Sequence, residues 1–194
     1  EIFTELAAEI DRAMREANAA VPTASSADGG ADVERLTAEM VTACRGFRTW
    51  ALSHRAEFGL VFGVPLPGID DGRYDIAEEC ALRFAGVYFG LFTKLWLWHP
   101  FPVPATPRIA PALREQLDRY ARAIGTDLPP GAVLTFLRCW MLLYGAVAME
   151  LFGHLSFALD DPSPLFELTL RDMAALVGLD YPVDLDYPGP RPLG

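Results

Sequence analysis

The run from Gly131 to His154, GAVLTFLRCWMLLYGAVAMELFGH, constrains the fold of this chain more than any other segment. Between its ends it carries two charged residues, Arg138 and Glu150, whereas an ordinary surface helix has one apolar stripe and one polar face. At helical spacing, apolar side chains surround this run completely. A chain of 194 residues has too small a core to bury such a helix on every side. We therefore predict that one side packs in the subunit core and another packs against a second copy, so that the protein is a homodimer.

The faces of this predicted helix differ in character. One stripe holds large side chains such as Phe136, Trp140 and Leu143, which suit a core. Another face combines long apolar side chains with glycines, which allow two backbones to approach closely, and we assign this face to the second copy. We extend the association face to the next predicted helix. The predicted interface residues are Leu142, Gly145, Met149, Phe152, Gly153, Leu165, Leu168 and Met173.

Charge and cysteine content exclude several classes of protein. With 26 acidic and 16 basic residues, the net charge of −10 argues against nucleic-acid binding by this chain alone, because DNA requires a cluster of basic side chains. The longest charge-free apolar stretches, 84–93 and 139–149, are shorter than the roughly 20 residues of a membrane span, so no membrane is expected. The three widely spaced cysteines, Cys44, Cys80 and Cys139, predict buried free thiols in a cytoplasmic protein.

The spacing of apolar residues predicts an all-α protein with one domain over 1–180 and a proline-rich tail over 181–194. Asp32 and Ser163 are the expected N-caps of two helices. Gly125 is the expected stop of the helix over 111–124, and Gly178 that of the helix that Ser163 begins. The fold should contain six main helices and one short one. Their predicted ranges are 1–19, 32–53, 55–62 (the short one), 75–98, 111–124, 131–154 and 163–178.

Two segments resemble a known family. FRTWALSHRAEFGLVFGVPLPG at 47–68 and CWMLLYGAVAMELFGHL at 139–155 are similar to the C-terminal regulatory domain of TetR-family (tetracycline-repressor) transcriptional regulators. The resemblance implies a helical domain that binds a small effector and dimerises through its last two long helices as a four-helix bundle. It also implies a helix-turn-helix domain that binds operator DNA. That domain has no counterpart within 1–194, so we expect it upstream of residue 1 and expect operator binding only through it.

Aromatic residues on four predicted helices, one of them the short helix over 55–62, form the candidate effector site. Converging aromatic side chains favour a mostly apolar pocket, so the resemblance and the composition together indicate an apolar or aromatic effector. The alternative interpretation is that these rings only fill the core. The candidate ligand-binding residues are Trp50, Phe58, Phe62, Tyr88, Phe89, Phe92, Trp96, Trp140 and Tyr144.

Signals for catalysis or metal binding are weak. The chain has no G-x-S-x-G motif and no glycine-rich phosphate loop. Glu150 and His154 are four residues apart, but this single pair falls short of a di-iron site, so we predict no metal and no cofactor. Glu150 should pair with Arg138 of the second copy, form another bond across the dimer, or face solvent. The main hypothesis is a ligand-responsive repressor, not an enzyme, and the alternative is a small all-α enzyme or carrier with an apolar cavity.

Overall fold

The structure, a computed structural model, describes residues 29–62, 86 and 88–181. Over these ranges the chain is helical with no strand, which confirms the all-α class. The predicted helix over 1–19, the predicted start of a helix at Asp75, Cys80 and most of the proline-rich tail lie outside the described residues. The helices are α1 (Gly29–Ser53), α2 (Arg55–Phe62), α3 (88–98), α4 (Pro111–Ala123), α5 (Pro130–Leu151) and α6 (Ser163–Leu176).

Helix α5 lies at the centre of the subunit, where α1, α4 and α6 pack against it. Its predicted core stripe is buried, with Val133, Leu143 and Val147 each no more than 1% exposed. The opposite face stays open, since Met141 is 70% exposed and Met149 is 42% exposed. The sequence therefore identified the buried side of α5 correctly.

Helix α5 ends earlier than the sequence predicted. The helix stops at Leu151, and Gly153 has a positive φ of 72°, a left-handed conformation that glycine adopts without steric cost. The His154 N–H donates to the Met149 carbonyl at 2.8 Å, which closes the turn. The side chain of Arg55 also donates to the Leu151 carbonyl, at 3.2 Å. Gly153 thus belongs to the turn after α5 and not to a helical face.

The N-terminus of α6 differs from the predicted cap. Ser163 is the first residue of the helix, and the Asp161 carboxylate accepts the Ser163 backbone N–H at 2.9 Å. Hydrogen bonds from Ser163 lower the pKa of Asp161. The Ser163 hydroxyl instead accepts a hydrogen bond from Arg48 at 2.8 Å, because a buried guanidinium must find acceptors. At the other predicted N-cap, Asp32, α1 has already begun three residues earlier, at Gly29.

The proline-rich segment between α3 and α4 is packed against the core. Phe101 is 3% exposed, and its ring centroid lies 5.3 Å from that of Phe92 and 5.0 Å from that of Trp96. The Pro104 carbonyl approaches Gly131 so closely that a Cβ at that position would overlap it. Gly131 therefore allows this segment to lie on the first turn of α5. At the end of α4, Gly125 has a φ of 67°, as the sequence predicted.

Candidate functional site

Phe47 is the centre of one aromatic cluster. It lies on α1 with no exposed surface, and its ring contacts four of the predicted site residues. The centroid distances from Phe47 are 5.9 Å to Phe58, 6.1 Å to Phe62, 6.4 Å to Tyr88 and 6.0 Å to Trp140. Tyr144 completes the cluster, stacked at 6.1 Å on Phe58 and at 6.0 Å on Trp140.

The other predicted aromatic residues lie elsewhere. Phe89 and Phe92 contact the ring of Phe136 at 5.0 and 5.5 Å, and Trp96 contacts Phe101, which forms a second cluster. Trp50 stacks on His54 at 5.3 Å, at the junction of α1 and α2. The nine candidate residues therefore do not surround one space.

Sequence reasoning missed Phe47, although a signal was present. Ala43, Phe47 and Ala51 recur every four residues, and none has exposed surface. This spacing marks the face of α1 that packs deepest in the core.

The described aromatic side chains contact one another and leave little open space. Two neighbouring cavities have volumes of about 30 Å³ each, room for one water molecule. Pockets for drug-sized molecules have volumes of about 300–1,000 Å³. Each of these two cavities is therefore too small for a drug-sized molecule.

Two tyrosine hydroxyls in the first cluster are already bonded. The Tyr88 hydroxyl donates to the Ala43 carbonyl at 2.7 Å, and the Tyr144 hydroxyl donates to the Phe62 carbonyl at 2.8 Å. Burial raises the pKa of both phenols, so both remain protonated at neutral pH. These bonds fasten α3 to α1 and α5 to α2.

Arg48 joins three helices in the interior. Its guanidinium, on a side chain only 1% exposed, donates two bonds of 2.6 Å to Glu150 on α5. It also donates to Ser163 on α6 and lies 5.1 Å from the centre of the Phe166 ring. Glu150 is thus paired within its own subunit, with a residue that the sequence analysis did not name as its partner.

The Arg45–Glu167 ion pair binds the hydroxyl of Tyr181, the first residue of the predicted proline-rich tail. Arg45 on α1 donates to both carboxylate oxygens of Glu167 on α6, at 3.0 and 2.7 Å. The Tyr181 hydroxyl bonds to Glu167 and accepts a bond of 3.1 Å from Arg45. Burial and the bond to Glu167 raise the pKa of Tyr181 to about 12. The chain after α6 is therefore fastened back onto α1 and α6.

A groove of about 300 Å³ runs between α5 and α6 on the open side of the subunit. Most of the predicted interface residues lie in it or are exposed beside it. Phe152 is 46% exposed and also contacts the ring of Phe58, while Met173 lies apart, 8% exposed in the core. The groove is lined by Met141, Leu142, Gly145, Ala146, Met149, Glu150, Leu155, Pro162, Leu165, Phe166 and Thr169.

By length and composition, α5 is the one helix within the described ranges that could cross a membrane. The best 18-residue window of this helix has a mean hydropathy of 1.7. The core helix of a soluble protein meets the same criterion, although only 39% of this window is buried in the subunit. The charge-free stretches of the sequence, which are interrupted by single charged residues, did not predict that α5 is long and apolar enough to meet this criterion.

In the part of the chain that the structure describes, His, Cys, Asp and Glu side chains form no group of three or more that could hold a metal ion. His54, His99 and His154 each lie just beyond the end of a helix.

The structure is thus an all-α domain with an exposed apolar groove between α5 and α6. The family described as "Tetracyclin repressor-like, C-terminal domain" matches residues 40–173, and the chain belongs to this family. Two relatives are the HTH-type transcriptional regulators Rv1816 of Mycobacterium tuberculosis and Mb1846 of Mycobacterium bovis. Each is 24% identical over 182 residues, which cover 90% of this chain and 68% of the relative. The family and these relatives assign the chain to the transcriptional regulators.

Proposed function

We propose that this chain is the effector-binding and dimerisation part of a ligand-responsive transcriptional repressor of the cytoplasm. The observation that carries the proposal is the apolar groove between α5 and α6, in a chain whose family is that of the tetracycline repressor. Operator DNA would be bound by a helix-turn-helix domain upstream of residue 1. The relatives are named as regulators of this type.

The dimer would form by packing α5 and α6 of one subunit against the same helices of another, as a four-helix bundle. Leu142, Met149, Leu165 and Leu168 are 38–48% exposed in the single subunit, and Met141 is 70% exposed. Gly145 lies among them, and a Cβ at this position would have no atom within 4 Å, so a second backbone can approach there. Burying this face removes apolar surface from water, which drives association.

The effector would act by separating the aromatic cluster around Phe47. An apolar or aromatic molecule that binds better when the rings are apart shifts the protein towards that arrangement. The rings come from α1, α2, α3 and α5, so their separation moves α1 relative to α5. Arg48 transmits this movement because its guanidinium is bonded to both α5 and α6.

A change in α1 would reach the DNA through the spacing of the two DNA-binding domains. In a dimer, two recognition helices must reach half-sites about 34–36 Å apart, so a small shift weakens operator binding. Coupling of this kind is worth about 1–3 kcal/mol.

A thermal-shift screen of apolar and aromatic compounds tests the proposal directly. A ligand present at 100 times its Kd should add about 2.7 kcal/mol of stability. Such a ligand should also change the fluorescence of Trp140, and substitution of Phe47 by Ala should weaken its binding. In a protein that includes the upstream domain, the same ligand should release operator DNA. Binding that leaves operator affinity unchanged would favour the carrier alternative instead.

A further inference from the structure

The two small cavities of the core are separated by a wall made of sulfur-bearing side chains. One cavity lies between α1, α5 and α6, and the other between α1, α3, α5 and α6. Four residues line both cavities, and every one of them carries sulfur. These four residues, which we call the sulfur wall, are Met40 and Cys44 on α1, Cys139 on α5 and Met173 on α6.

The rest of the lining cannot hold a polar ligand. Two hydroxyl-bearing residues contribute, Thr37 and Tyr88, and both hydroxyls already donate to backbone carbonyls, at 2.8 and 2.7 Å. The remaining side chains are aliphatic or aromatic, apart from the indole of Trp140. A water molecule needs two to four polar partners and would not find them here. A cavity of about 30 Å³ also excludes an organic effector.

We propose that the sulfur wall is a binding site for a single soft monovalent metal ion, Cu(I), held by the thiolates of Cys44 and Cys139. Thiolate and thioether sulfur are the ligands that select Cu(I) over the harder divalent ions. The thioethers of Met40 and Met173 stand beside the two cysteines and supply weaker third and fourth ligands. Both cysteines are free and buried, so neither is committed to a disulfide.

The binding step exchanges protons for the metal. One Cu(I) ion and two thiols give a bis-thiolate complex with one negative charge, and two protons are released to solvent. Burial raises the pKa of Cys139 to about 11 and that of Cys44 further, so the metal-free thiols are protonated at neutral pH. No change in oxidation state is involved.

An anaerobic titration of the purified chain with Cu(I), in competition with bicinchoninate, tests the site. The third cysteine is first replaced in a Cys80→Ser protein, so that Cys44 and Cys139 are the remaining thiols. We expect one equivalent of Cu(I) per chain in this protein and in the wild type. Cys44→Ser and Cys139→Ser should each weaken binding by more than about 100-fold, since a ligand matters more than the outer-shell groups whose loss costs 10–100-fold. Met40→Leu and Met173→Leu should weaken it less.

X-ray absorption and circular dichroism distinguish a true site from a folding effect. The copper in the wild-type complex should have sulfur neighbours only, and each serine variant should keep the helical signal of the wild type. Failure of the wild type to take Cu(I) from bicinchoninate overturns the proposal. Nitrogen or oxygen neighbours of the copper in the X-ray absorption spectrum would also overturn the proposal. Unchanged Cu(I) affinity in a folded Cys44→Ser, Cys139→Ser double variant would do the same. The titration uses neither DNA nor an organic effector, so its result is independent of the proposed repressor function.

Discussion

At the scale of single residues, Arg48 has the largest structural role among the described polar side chains. It is 1% exposed, and its guanidinium carries a full charge in the interior between α1, α5 and α6. Such a charge is tolerated only when it is paired and hydrogen-bonded. The Glu150 and Ser163 oxygens meet this requirement, so this one side chain joins all three helices.

Replacing Arg48 with Met should destabilise the subunit by about 3–5 kcal/mol, because the Glu150 carboxylate would be left without its partner. The double variant Arg48→Met, Glu150→Leu should recover most of this loss, since apolar side chains of similar volume can replace a buried ion pair. Urea unfolding followed by circular dichroism measures both values. Equal stability of the single variant and the wild type would show that the pair has no structural role.

Glycine positions provide a second test at this scale. Gly131→Ala should cost about 1–3 kcal/mol, because the new Cβ would overlap the Pro104 carbonyl and push the proline-rich segment away from α5. Gly59 is the matched control in the middle of α2, where a Cβ would have no neighbour within 4 Å. Gly59→Ala should stabilise the protein by about 1 kcal/mol through helix propensity. Thermal unfolding of both variants should therefore shift in opposite directions.

At the scale of elements, two faces of α5 lie in different environments. Its core stripe is closed by α1, α4 and α6, and its other face forms one wall of the groove with α6. The proposed dimer gives this second face a partner. Under the proposed dimer, α5 would belong both to the subunit core and to the association surface.

Gly145→Arg should break the proposed dimer, because a long charged side chain would enter an apolar interface without a partner. We expect a loss of about 3 kcal/mol, roughly 100-fold in the dissociation constant. Ala112→Arg, on the exposed side of α4, is the matched control and should leave the dimer intact. Light scattering at micromolar concentration measures the mass of each protein. A wild type that is monomeric there, or a dimeric Gly145→Arg variant, would contradict the assigned interface.

At the scale of the whole molecule, patterns along the sequence predicted the elements better than the contacts between them. The core stripe of α5 and the stops at Gly125 and Gly178 follow from local spacing and from left-handed glycine conformations. The Arg48–Glu150 pair joins residues 102 positions apart, and no local pattern reveals such a pairing. The candidate effector residues divided into two clusters and a separate Trp50–His54 stack for the same reason, since ring contacts depend on how the helices pack against one another.

The stability of the molecule should fall in alkaline solution. The pKa values of Tyr88, Tyr120, Tyr144 and Tyr181 are all raised, chiefly by burial. A raised folded-state pKa stabilises the protein below the ordinary value of 10.0, and this contribution is lost as the pH rises through about 12 for Tyr181. Urea unfolding should therefore show a declining free energy above pH 10.0. In Tyr181→Phe the decline should be shallower, and a pH-independent wild type would contradict the assignment.

The limited burial of α5 within one subunit has a consequence for how the protein is made. Only 39% of its apolar window is buried within the subunit. A newly synthesised chain would fold with this apolar face exposed. An exposed apolar face can bind chaperones and other nascent polypeptides. Under the proposed dimer, the lifetime of the protein in the cell would rise with its own concentration. At low concentration a larger fraction of subunits would be monomeric, with the apolar face of α5 still exposed.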